Sequence, residues 1–112
     1  MMLLTIERVP GHRIARVCGL AKGCAVRALP GGDDIIAGIK NIVGGEVHEY
    51  TSVIAQTREQ ALDRLIEDAR GLGADAVIGL RFATAEVASG AAELLVYGTA
   101  VTLEREEGLE VP

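Results

Sequence analysis

The chain has 112 residues, 49% of them hydrophobic, and a formal net charge of −5 from 11 basic and 16 acidic side chains. That length fits one domain with one modest core, and the acidic balance argues against nucleic acid or an anionic membrane as partner. Phe82, Tyr50 and Tyr97 are its only aromatics, so the core falls to aliphatic residues and alanine, and two cysteines make no disulfide framework.

The opening MMLLTIERVP lacks the pattern of a secretion signal, and no apolar run has transmembrane length. The expected location is the cytoplasm, with reduced thiols. LLTIERV reads as a first strand ending near Pro10 and Gly11. His12 to Ala21 reads as a second, with Ile14, Cys18 and Leu20 on one face and Ala15, Val17 and Ala21 on the other. CAVRAL continues it beyond a bend at Gly23.

PGGDD then marks a turn, with Asp33 and Asp34 as helix caps. Ile35, Ile36, Ile39, Ile42 and Val43 form the apolar stripe of a first helix, ended by Gly44 and Gly45. A second helix carries Ala61, Leu62, Leu65, Ile66, Ala69 and Leu72 at helical spacing. Thr57 and Gln60 fit a capping box at its start, yet Tyr50 and Ile54 extend the stripe upstream toward His48. Its charged side, Arg58, Glu59, Asp63, Arg64, Glu67 and Asp68, reads as a solvated face.

Two strands follow, Ala76 to Val87 and Ala92 to Glu104, joined at Ser89 and Gly90 as a hairpin. On the first, Ile78, Leu80 and Phe82 alternate with Val77, Gly79, Ala83 and Ala85. On the second, Leu94, Val96, Gly98 and Ala100 alternate with Leu95, Tyr97, Thr99, Val101 and Leu103. Neither strand has the polar side of a sheet with one wet face. Two helices cover one face. The other needs a cover, and another copy of the chain is the simplest one; a sheet folded over itself is the monomeric alternative. Val77 and Val101 are expected on the surface shared between copies.

The chemistry-bearing residues are few. Cys18 and Cys24 lack the CxxC spacing of a zinc site. On a straight strand they would stand about 20 Å apart, far beyond the reach of one ion. Copies of Cys18 brought together in a ring are the remaining metal arrangement. His48, flanked by Glu46 and Glu49, has the donor types for a borderline cation, although a surface or cap histidine is the plainer reading. No GxGxxG, GxxxxGK[ST] or GxSxG pattern occurs. Asp75, in the turn between helix and strand, is expected to accept backbone N–H bonds and fix that turn.

VCGLAKG around Cys18, AGIKNIVGGEVHEY from Ala37 to Tyr50, ARGLGADAVIGLRF from Ala69 to Phe82, and YGTAV from Tyr97 to Val101 follow one another in this order. Together they resemble the YbjQ-like family, often named "putative heavy-metal-binding proteins". The resemblance covers nearly the whole chain as a single domain. It implies an α+β subunit, similar to the dodecin subunit, with a small antiparallel-rich sheet packed with two helices. Such subunits would assemble as a homopentameric ring around a β-barrel-like core. It also implies a heavy or transition metal ion as a ligand, and it matches Cys18 to a recurring family cysteine. No catalytic residue is assigned.

The expected function is therefore a homo-oligomeric binding or scaffold protein for a heavy metal or small ligand. Cys18 is the first metal-ligand candidate, and His48, Glu46 and Glu49 form a second group. The alternatives are an enzyme with a pocket between subunits, using Asp75 or Cys18, and a purely structural assembly.

Overall fold

The computed structural model describes residues 1–28, 48–88 and 91–106. In chain order these form β1 (Met2–Leu3), β2 (His12–Ala28), α1 (His48–Gly71), β3 (Ala76–Ala88) and β4 (Ala91–Arg105). The fold class is α+β, as expected. The four strands make one sheet in the order β1-β3-β4-β2, in which β3 and β2 both run antiparallel to β4 and β1 runs parallel to β3. The expected first helix, with Asp33, Asp34, Gly44 and Gly45, lies outside the described residues.

Helix α1 lies across one face of the sheet. Ala61, Leu65 and Ala69 recur every four residues along it and are fully buried with Ala21, Ala25, Val77, Val96 and Ala100 beneath. Small residues on both sides bring the two backbones together. A Cβ added at Gly23 would run into the Ala61 carbonyl and the Leu65 backbone. Gly23 therefore lets the helix approach and does not bend the strand: β2 runs unbroken from His12 to Ala28. The described helix begins at His48, so Thr57 sits within it. Its Oγ1 donates to the Val53 carbonyl at 2.7 Å, one turn back, instead of capping an end. The far end closes as the glycines predict: Gly73, at φ 78°, donates to Arg70 O, and Ala74 donates to Ala69 O.

Four register shifts interrupt the ladders, the last between Glu86 and Ala88, and the other three decide which core residues share a face. On β3, Ile78 pairs with Thr99 but Arg81 pairs with Tyr97, so Gly79 and Leu80 together oppose Gly98. Gly79 has φ 61°, a conformation open to glycine at little cost. The extra residue puts Leu80 on the helix side with Val77, while Ile78 joins Ala76 on the opposite side. On β2, register shifts leave Ala15 and Cys18 as extra residues. Cys18 then packs with Ala21 against the helix-side core, and Leu20, paired with Thr99, lies on the other face. Strict alternation had grouped Ile78 with Leu80 and Cys18 with Leu20; the bulges separate both pairs. Strand β4 keeps its alternation as expected.

The second face is covered from within at one end. Val9 and Leu4, in the segment after β1, pack over Ala76, Ile78, Val101 and Leu103. Val77 and Val101 are both fully buried inside the chain, one under α1 and the other under Val9. Neither lies on a surface that a second copy could reach, which corrects that expectation. Among the described residues the rest of the face is open. Ile14, Val17, Leu20, Val26 and Tyr97 are 38% to 64% exposed. The described residues form a blade of 59 × 30 × 16 Å with a radius of gyration of 18.1 Å, against about 13 Å for a compact domain of 100 residues.

Candidate functional site

The two thiols lie on opposite faces of one sheet. Cys18 is the extra residue of a β2 bulge, half-buried against the aliphatic cluster beneath the C-terminal half of α1. Cys24 pairs with Leu95 on the open face, because its neighbours Gly23 and Ala25 are buried under the helix. The sheet stands between them, and both are free.

Cys24 has a specific neighbour. The Glu93 carboxylate acts on its thiol, and Glu93 pairs across the ladder with Val26 on the same face. Burial pushes the thiol up from its ordinary pKa, the nearby Glu93 carboxylate pushes it further up by its charge and as an acceptor, and the Arg64 guanidinium acts the other way. The neutral thiol is thus the favoured form, and a metal would have to displace its proton against that preference.

The other expected ligands lie elsewhere. His48 and Glu49 open α1, whereas Cys18 stands on β2 between Lys22, whose N–H meets Asp68, and Arg16, whose side chain lies by Gly73, toward the other end of the helix. A helix of this length spans about 36 Å, so Cys18 and the histidine group are separate places in one chain. Glu46 lies outside the described residues. Among the described residues no three His, Cys, Asp or Glu side chains come together as a cation site.

Asp75 has the structural role expected of it. Its Oδ2 accepts the Leu103 N–H at 3.0 Å, its own N–H donates to Val101 O, and its carbonyl accepts from Met2. One residue therefore joins the starts of β3 and β1 to the end of β4.

The polar side of α1 holds a feature that sequence reasoning missed. Gln60 Oε1 accepts from Arg27 Nη2 at 3.0 Å, Arg64 Nη1 donates to Cys24 O at 2.6 Å, and Asp68 Oδ2 accepts the Lys22 N–H at 2.9 Å. These three helix residues recur every four positions and follow β2 backward. The spacing was visible, but it is equally the spacing of a solvated face. Near this seam, a cleft of about 280 Å³ opens between α1 and the sheet. Val53, Ile54, Thr57 and Leu94 line it, with Arg27 and Glu93 also in its wall. Its walls are mostly aliphatic and suit an apolar group.

A family model described as "Putative heavy-metal-binding" matches residues 1–104. The chain belongs to the YbjQ family. Relatives of the same kind are the UPF0145 protein of Thermus thermophilus, 53% identical over 104 residues that cover 93% of this chain and 91% of the relative, and the UPF0145 protein of Hahella chejuensis, 52% identical over 93% of this chain and 100% of the relative. A UPF0145 protein of Pyrococcus furiosus is 50% identical over 96% and 94%. A solved structure of a protein of unknown function from the DUF74 family of Pediococcus pentosaceus superposes with a TM-score of 0.65. The match covers 93% of this chain and 98% of that one at 19% identity, which shows a shared fold. The YbjQ description implies a heavy metal, and the described donors of one chain do not fit one: the thiols are divided by the sheet and no third ligand joins either. No helix among the described residues of this YbjQ chain is long and apolar enough to cross a membrane.

Proposed function

We propose that this YbjQ-family chain is the subunit of a cytoplasmic homo-oligomeric binding or scaffold protein, whose open sheet face is covered by other copies of itself. The observation that carries the reading is the face itself. Ile14, Val17, Leu20, Val26 and Tyr97 expose large apolar surface on one side of a thin blade. Burial of such surface contributes roughly 25 cal/mol per Å², and monomeric proteins rarely leave a broad patch of this kind in water. The family resemblance carried by the sequence supports a ring of five around a β-barrel-like core.

Ligand binding is the coarser part of the reading. A metal held by the assembly would draw donors from more than one copy, and Cys24 with Glu93 is the donor pair that a covered open face would bring near a neighbour. An enzyme built on Asp75 is disfavoured, because that carboxylate already accepts the Leu103 N–H.

Size-exclusion chromatography with light scattering tests the assembly. Untagged protein should run at a multiple of the single-chain mass, and Leu20→Glu or Val17→Glu should lower that mass while the helical circular dichroism persists. A single-chain mass for the untagged protein at micromolar concentration would overturn the reading. Metal analysis after loading with zinc or cadmium tests the ligand: retained metal should be lost in Cys24→Ser or Glu93→Gln, and metal that survives both variants excludes that pair.

A further inference from the structure

We draw no further inference here: the strongest candidate, the cleft between α1 and the sheet walled by Val53, Ile54, Thr57 and Leu94, is an apolar groove whose buried Thr57 hydroxyl already donates to the Val53 carbonyl, and nothing in the structure shows what covers it.

Discussion

Arg64 Nη1 donates a 2.6 Å hydrogen bond to the main-chain carbonyl of Cys24, and one helical turn further on, Asp68 takes the Lys22 N–H. Two side chains that look like ordinary solvent-facing charges thus close part of a strand edge and tie α1 to β2. Arg64→Ala should lower stability by about 1 kcal/mol, because an outward carbonyl loses its donor. Glu67→Ala, on the exposed side of the same helix, should stay within about 0.5 kcal/mol. Urea unfolding at one fixed protein concentration measures both.

Close approach of helix and sheet predicts a cost at Gly23. Gly23→Ala places a methyl against the Ala61 and Leu65 backbone, which side-chain rotation cannot relieve. The expected loss is about 1–3 kcal/mol. Gly71→Ala, where the added methyl meets open space, should change stability by less than about 0.5 kcal/mol. Thermal melts of the two variants should separate clearly.

Burial distinguishes core valines from face valines. Val77→Asp puts a charge into the fully buried cluster beneath α1 and should unfold the chain, with loss of the helical circular dichroism. Val26→Asp, at a position 53% exposed, should leave the fold intact and weaken only association. If the two variants gave the same spectrum and the same mass, the assignment of faces would be wrong.

At Asp75 the amide side chain should substitute for the carboxylate. Asp75→Asn keeps an oxygen for the Leu103 N–H and should cost little. Asp75→Ala leaves that N–H without its partner and should cost about 1–2 kcal/mol. Chemical denaturation of the pair reads the difference.

Cys24 should respond to Glu93. Glu93→Gln removes the charge and the carboxylate acceptor that hold the thiol up, so more thiolate is present at a given alkaline pH. Maleimide labelling, followed in a Cys18→Ser background, should become several-fold faster. The sign for stability follows from the raised folded-state pKa. The thiol's contribution is full at pH below the unfolded thiol's range and is lost as pH rises through the folded pKa. Denaturation midpoints should therefore fall with alkaline pH more steeply in the parent than in Glu93→Gln.

Much of the fold was legible because its signals are local. The stripe from Ala61 to Leu72, the glycine-closed helix end and the hairpin strands each lie within a short stretch of chain. That Asp75 would accept a backbone N–H was legible too, but not that the donor would be Leu103 on β4. The faces of β2 and β3 were not. A single inserted residue in a ladder reverses every side chain beyond it, and glycines at 19 and 79 permit the bulges without announcing them. The candidate site suffered for the same reason: Cys18 was grouped with Leu20, and the bulge turns it toward the helix.

By itself, the sequence determined the family, the α+β class, the surplus of apolar strand and the absence of a paired-cysteine metal motif, all properties carried by residue types and near-neighbour spacing. Only the tertiary structure decided that Cys18 and Cys24 stand on opposite sides of the sheet, that Val9 shelters Val101, and that Arg64 and Asp68 hold the β2 edge. Each of those depends on register between segments far apart in the chain, and register is set by packing and long-range hydrogen bonds, which no local pattern encodes.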